Sequence, residues 1–210
     1  LAGSIDAVIH SAAQVNYVQT YSAHRAANVG GTIEVIRLAA TGRLRPLHHV
    51  SSIAVFGPSG FFGGDRRIAE DQDLDHHVDH LRYDIAYSAS KWVAEKLVWH
   101  AKDLGLPVRV YRPGFIMGDS RTGAGNPDDF VGRAVRGMVQ SGTCPDLPHQ
   151  RKEFVPVDYV SQGIIAIGAR EDTIGRAFHL VPPDPARSMD LNDFHDLLRE
   201  GSQLRAGADK

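Results

Sequence analysis

Apolar residues in this chain gather into short unbroken runs, separated by stretches where they recur every three or four positions. Ile5-Asp6-Ala7-Val8-Ile9-His10-Ser11-Ala12-Ala13 is a run that closes in small residues, the pattern of a buried parallel strand. Ala26, Val29, Ile33, Ile36 and Ala40 then keep helical spacing and predict a helix from about Ser22 to Ala40, with Gly42 as its stop. Leu47 to Ile53 reads as a second strand and Pro107 to Tyr111 as a third. Between them, residues 57–82 are irregular and rich in Gly, Asp and His. A strong helix follows from Asp84 to Leu104, with Ala89, Val93, Lys96 and Leu97 along one side and Gly105 at its end. Pro127-Asp128-Asp129-Phe130 opens a further helix, with proline in the first turn and acids beside it. Phe154 to Val157 and Phe178 to Val181 predict later strands, residues 158–168 and 190–199 predict helices, and the polar tail from Gly201 is expected to fray.

Strands alternating with helices of this length predict an α/β fold with a parallel sheet. With no internal repeat and no low-complexity linker, residues 1–210 read as a single domain, of which roughly 115–210 form a small C-terminal, substrate-side lobe. In a doubly wound nucleotide-binding sheet, a glycine fingerprint at the first strand-to-helix turn meets the pyrophosphate. Nothing before Asp6 supplies one, so the sheet is expected to be N-terminally truncated, its first strands and Gly-rich loop missing. Gly57-Pro58-Ser59-Gly60-Phe61-Phe62-Gly63 imitates the glycine spacing. Pro58 removes an amide donor there, and Asp65-Arg66-Arg67 follows where a packed helix should start, so a flexible loop is the preferred reading.

A formal charge of -2 with scattered Lys and Arg argues against nucleic-acid and anionic-membrane partners. The single cysteine, Cys144, cannot make an internal disulfide, which favours a reducing compartment. No run approaches the roughly 20 apolar residues of a membrane span, and the first residues lack a signal peptide's pattern. A cytoplasmic location is expected.

The chemistry concentrates in Tyr87-Ser88-Ala89-Ser90-Lys91, with Val50-Ser51-Ser52 upstream and Tyr111-Arg112-Pro113-Gly114 downstream. Tyr87 and Lys91 stand four apart and share one helix face. Reduction of a carbonyl leaves negative charge on oxygen, which needs an acid, and a free phenol of pKa about 10 gives up its proton reluctantly. An ammonium one turn away is expected to stabilise the phenolate and lower that pKa. Ser52, at the carboxyl end of a predicted strand, supplies a hydroxyl for the same oxygen. A Tyr-x-x-x-Lys spacing alone occurs on many surface helices, as a half-buried Tyr beside a solvated Lys. The ordered series of Ser52, then Tyr87 and Lys91, then Arg112-Pro113-Gly114 makes catalysis the better reading.

These stretches resemble the extended short-chain dehydrogenase/reductase family. More narrowly, the chain resembles the thioester reductase domains that release products from non-ribosomal peptide and polyketide synthases, relatives of aminoadipate and carboxylic acid reductases. The resemblance is carried by Asp6 to His10, Val15-Asn16-Tyr17, Ala27 to Thr32, Tyr87 to Lys96, Tyr111 to Gly114, Gly118 to Gly123, Asn126 to Phe130 and Pro156 to Val160. It implies an α/β, Rossmann-like doubly wound parallel sheet and NAD(P)H-dependent reduction of an acyl thioester to an aldehyde or alcohol. Tyr87 would be the acid, Lys91 its partner and a contact to the nicotinamide ribose, and Ser52 the hydroxyl, where many relatives have threonine. Ala12 and Ala13 would line the cofactor channel, Asn28 would support the Lys91 side, and Pro113, Gly114, Phe115 and Ile116 would pass the nicotinamide. NADPH is the implied cofactor, with NAD not excluded. The implied partner is an acyl or peptidyl carrier protein bearing a phosphopantetheine arm, within a larger multidomain chain. Two alternatives stay open: an extended dehydrogenase acting on a sugar nucleotide or small carbonyl, and a non-catalytic fragment of such a domain.

Other side chains invite chemistry more weakly. Asp71, Asp73, Asp75, His76, His77, Asp79 and His80 suggest a metal cluster, but a solvated loop explains them better and no metal is expected. His48 and His49 are expected to serve packing or the sheet edge, and His10 to be a satisfied structural histidine. Arg121 and Arg133 suit a phosphate or ordinary surface ion pairs. Asp158 is expected to cap its helix, and Trp92 and Trp99 to bury against the sheet.

Overall fold

A computed structural model of the chain describes residues 4–64, 67–147 and 149–208. In chain order the elements begin with β1 (Val8–His10), α1 (Tyr21–His24), a π-helical turn (Arg25–Gly30), α2 (Gly31–Ala40) and β2 (Leu47–Val50). A 3-10 turn (Ile53–Phe56), α3 (Ser59–Phe62), a 3-10 segment (Leu74–Tyr83), α4 (Ala86–Asp103) and β3 (Val108–Pro113) follow. The remainder comprises β4 (Phe115–Met117), α5 (Phe130–Ser141), β5 (Arg151–Lys152), β6 (Phe154–Pro156), α6 (Val157–Gly168), β7 (Ala177–Leu180), β8 (Met189–Asp190) and α7 (Leu191–Ala208). They divide into two compact units. The first holds residues up to Pro113 together with Ser161–Leu180, and the second holds Gly114–Val160 and residues from Val181 on.

The first unit is an α/β layer structure around a four-stranded sheet ordered β1-β2-β3-β7, with every pairing parallel. Val8 aligns with Leu47 and Leu47 with Val108, while Tyr111 aligns with Phe178. All six residues of β3 are buried, as an interior parallel strand requires. Val108 and Val110 join Leu47, Ala39, Val98 and Leu106 in the main apolar core, and Trp99 packs against it. Trp92 and Trp99 also close a second cluster of Val55, Phe56 and Leu74. Arg109 sits inside β3 because its guanidinium is satisfied, donating to Thr173 Oγ1 and to the Arg170 carbonyl, both at 2.7 Å.

Several sequence expectations change here. The helix expected over 22–40 is interrupted by the π turn, which tucks Asn28 and Val29 into the interior. The second strand stops at Val50, and Ser52 caps the 3-10 turn after it by accepting from the Ala54 amide at 3.1 Å. His48 and His49 are not edge residues; β2 lies between β1 and β3, and both are buried. His48 Nδ1 lies 2.9 Å from the Tyr111 hydroxyl. A Cβ on Gly168 would stand 2.8 Å from His48 Cε1, so α6 can pass this ring only with a glycine. The stretch expected to be irregular contains α3 and the Leu74–Tyr83 segment, whose His77 and His80 Nδ1 atoms lie 2.7 and 2.9 Å from Ser59 Oγ.

The second unit contains two small sheets, parallel β4-β6 and antiparallel β5-β8. Phe154 packs on Phe115 and Phe194, with ring centroids 5.9 and 5.0 Å apart. Gly114 lies so close to Glu153 that a Cβ would collide with the Glu153 carbonyl oxygen. α5 begins at Phe130, three residues after Pro127, because Asp129 caps it by accepting from the Gly132 amide at 2.5 Å. Asp158 is not a cap. It lies in the first turn of α6, and its carboxylate accepts from the Ser120 amide and hydroxyl at 2.9 and 2.7 Å. The tail expected to fray continues α7 to Ala208. Among the described residues, no helix is long and apolar enough to cross a membrane.

Candidate active site

Ser52, Tyr87 and Lys91 come together in the first unit, at the carboxyl end of β2 beside the first turns of α4. Open α/β sheets present their ligand sites at this rim. α4 starts at Ala86, so Tyr87 and Lys91 occupy its first two turns on one face. The Ser52 hydroxyl lies within hydrogen-bonding reach of the Tyr87 phenol. Lys91 is buried, and its Nζ donates to the Val50 carbonyl at 2.8 Å.

Tyr87 is packed between aromatic neighbours. Tyr17 stacks at 6.5 Å between ring centroids and His24 meets it edge-on at 6.2 Å. Burial pushes the phenol well above its ordinary pKa, Tyr17 adds to the rise, and the Ser52 hydrogen bond opposes it. Burial pushes the Lys91 ammonium down to about 8, against the attraction of Glu95. The expectation of a lowered phenol pKa is therefore reversed in the protein alone. Lys91 engages a backbone carbonyl, and desolvation of Tyr87 outweighs what remains. A phenol that keeps its proton at neutral pH is the form a general acid needs.

Asn28 joins the loop after β1 to α4. Its carboxamide accepts from the Gln14 amide at 2.7 Å and donates to the Gln14 carbonyl at 3.0 Å and to Ser90 Oγ at 2.9 Å. Ser90 in turn donates to the Tyr87 carbonyl at 2.7 Å. The π turn matters for this link, since such bulges place side chains that a regular helix would turn elsewhere. Ala12 and Ala13 are exposed just past β1, and Pro113 is buried at the end of β3. Gly114, Phe115 and Ile116 belong to the second unit, where Phe115 and Ile116 form most of β4.

Two histidines lie beneath this rim. His10 Nε2 is 3.1 Å from Thr32 Oγ1, and its ring centroid is 5.4 Å from that of His49. Burial, with Lys91 adding, lowers the pKa of both, that of His49 strongly. Neither ring nitrogen of His49 has a hydrogen-bond partner among the described residues. In the His- and Asp-rich stretch, His77 and His80 turn to Ser59, and among the described residues no group of three or more His, Cys, Asp or Glu could hold a metal ion. Asp75 instead pairs with Lys96 at 2.9 Å. Arg133 pairs with Asp128 at 3.4 Å on the surface.

Sequence reasoning assigned no role to Ser51, Glu95 or Arg112. Glu95 stands four residues beyond Lys91 on the same face, and that spacing was the available signal. Tyr17 and His24 carried no such signal, because only tertiary packing brings them to Tyr87.

The donor set suits a nicotinamide dinucleotide: a phenol, an ammonium and a hydroxyl beside two small exposed residues, at the carboxyl ends of parallel strands. Comparisons with known proteins agree. An NAD-binding family model described as "Male sterility protein" matches residues 1–164. The chain is 49% identical over 208 residues to the aldehyde reductase lnbA of Aspergillus flavus, covering 99% of this chain and 21% of that protein. It thus spans about a fifth of that curated relative's length. Among solved structures, the terminal R domain from the myxalamid PKS-NRPS biosynthetic pathway superposes with a TM-score of 0.81 at 40% identity, over 95% of this chain and 48% of that one. A thiolation-reductase di-domain from an archaeal non-ribosomal peptide synthetase superposes with a TM-score of 0.70 at 25% identity, over 94% and 42%.

Proposed function

The chain belongs to this NAD-binding family of the extended short-chain dehydrogenases/reductases, and on that premise we propose that it is an NADPH-dependent thioester reductase. It acts on an acyl or peptidyl chain held on a carrier protein's phosphopantetheine arm and releases it as an aldehyde or alcohol. The observation that carries the reading is the convergence of Ser52, Tyr87 and Lys91 at one strand end. The archaeal thiolation-reductase di-domain supports the choice of partner.

Ala12, Ala13, Asn28, Pro113, Gly114, Phe115 and Ile116, together with Tyr87 and Lys91, are the proposed cofactor-binding residues. When bound, a reduced nicotinamide supplies the hydride. The chain's own groups handle the oxygen. Ser52 donates a hydrogen bond to the carbonyl oxygen and orients it beside the phenol. Tyr87, protonated at neutral pH, gives its proton to that oxygen as negative charge builds. The Lys91 ammonium lowers the cost of the phenolate left behind. The hemithioacetal then collapses: its carbon–sulfur bond breaks, the arm leaves as a thiol, and an aldehyde remains. A second reduction by the same groups gives the alcohol.

The stretch from about 115 to 210 is proposed to supply the substrate side. A place in a larger multidomain chain and in the cytoplasm belongs to the same reading; the one cysteine, Cys144, is free. The test is NADPH oxidation with an acyl-pantetheine thioester, compared with NADH. Tyr87→Phe should lower the rate by about 10²- to 10⁴-fold, the contribution of a positioned acid. Undiminished turnover in that variant would refute the assignment.

A further inference from the structure

One turn beyond Lys91, α4 carries a carboxylate that the proton transfer above does not use. Glu95 is fully buried, on the same face as Tyr87 and Lys91. It accepts from Ser51 Oγ at 2.5 Å, from Trp99 Nε1 at 2.9 Å, and from Arg112 Nη2 and Nε at 2.6 and 3.0 Å. Arg112 is equally enclosed: Nη1 donates to the Glu70 carbonyl at 3.0 Å and lies 3.2 Å from His179 Nε2, and the guanidinium covers the Phe56 ring. Ser51 directly precedes Ser52, and its amide donates to the Tyr111 carbonyl at 2.7 Å. The strand end bearing Ser52 is therefore tied twice, by backbone to β3 and by side chain to the helix that bears Tyr87.

We propose that Glu95 is a positioning residue for the reaction: paired with Arg112, it fixes Ser52 against Tyr87 through Ser51, and it stands one helical turn from Lys91 as the carboxylate facing that ammonium. It touches neither substrate nor cofactor. The kinetic part of this inference rests on the reductase reading; the effect on Lys91 does not.

Four titratable side chains face Lys91. His10 of β1 and His49 of β2 are kept neutral above pH 7 by burial, and Tyr87 of α4 keeps its proton there. Glu95 is the group that supports the charged form of Lys91 against burial. Loss of its charge moves the titration of Lys91 to lower pH.

The experiment uses the full chain with Glu95→Gln, Glu95→Asp and the double variant E95Q/R112M. The double variant removes both charges of the buried pair, so it folds without a lone buried cation. Two readouts are taken: the pH profile of kcat/KM, and Lys91 titration by side-chain NMR, which needs no turnover. In Glu95→Gln and in the double variant, both the alkaline limb and the Lys91 titration should fall by about half a pH unit or more. kcat should drop about tenfold with little change in cofactor KM. Glu95→Asp, which keeps the charge, should leave the limb in place. A Lys91 titration unmoved in both charge-removing variants overturns the proposal. A shifted titration in a protein that reduces no thioester keeps the role of Glu95 and overturns the reductase reading.

Discussion

Lys91 Nζ donates to the carbonyl oxygen of Val50 at 2.8 Å, so the ammonium of α4 is moored two residues before Ser52. One hydrogen bond thus sets the spacing between the strand that offers the hydroxyl and the helix that offers the phenol. It also gives a buried cation a partner, which limits the desolvation that burial imposes.

The burial of Lys91 makes stability depend on pH in a defined direction. Its pKa is about 8 in the fold against 10.5 for the exposed side chain. Between those values the unfolded chain binds more protons than the folded one, so this group's penalty is full below pH 8 and fades as pH rises. The unfolding free energy of the parent protein, minus that of Lys91→Met, should therefore rise by about 3 kcal/mol across the window. Urea titrations of both proteins at intervals from pH 7.5 to 10.5 measure it, and a flat difference would show that Lys91 is not desolvated.

Ser52 should matter through its hydroxyl alone. Ser52→Ala is expected to lower kcat by about 10²-fold, the loss typical of one donor to a developing oxyanion. Ser52→Thr, which keeps the hydroxyl, should stay within about tenfold of the parent rate. Steady-state kinetics with a thioester substrate separates the two.

Asn28→Ala leaves the Gln14 backbone and the Ser90 hydroxyl without their side-chain partner. Stability should fall by about 1–3 kcal/mol, the cost of buried polar groups left unpaired. Chemical denaturation reports it, and hydrogen exchange at the Gln14 amide should quicken with it.

Gly114→Ala tests packing in the second unit. The added methyl group would meet the Glu153 carbonyl, which is backbone and cannot swing aside. The strain should cost about 1–3 kcal/mol. A thermal scan matching that of the parent protein would contradict the close approach.

Much of the layer structure was legible as pattern. Val108-Arg109-Val110-Tyr111 announces an interior strand because a parallel strand between two others buries both faces, and α4 declares itself by spacing and by Gly105. Val8-Ile9, read as buried in the same way, instead forms the edge strand β1 of the described sheet, with Ile9 exposed. Ser52, Tyr87 and Lys91 were legible because an i, i+4 pair and a strand-end hydroxyl are local features. What escaped depends on distance along the chain or on a single hydrogen bond. Glu95 and Arg112 meet only after the strand following α4 returns beside it. His48 reads only as a packing or edge residue until Tyr111, on the neighbouring strand, supplies its partner. Asp158 reads as a cap until Ser120 captures it. The π turn at 25–30 has no periodic signature, since one extra residue in a single turn shifts the pattern by less than the scatter of apolar positions.

That widened turn turns chain length into a determinant of chemistry. Each residue of an ordinary helix advances the direction of a side chain by roughly 100°. Deleting a residue other than Asn28 between Arg25 and Gly30 would let the coil relax to its usual pitch and swing the carboxamide of Asn28 away from Ser90 and Gln14. The bridge to α4 would then open. The segment should accept exchanges of residue type far more readily than a change in their number.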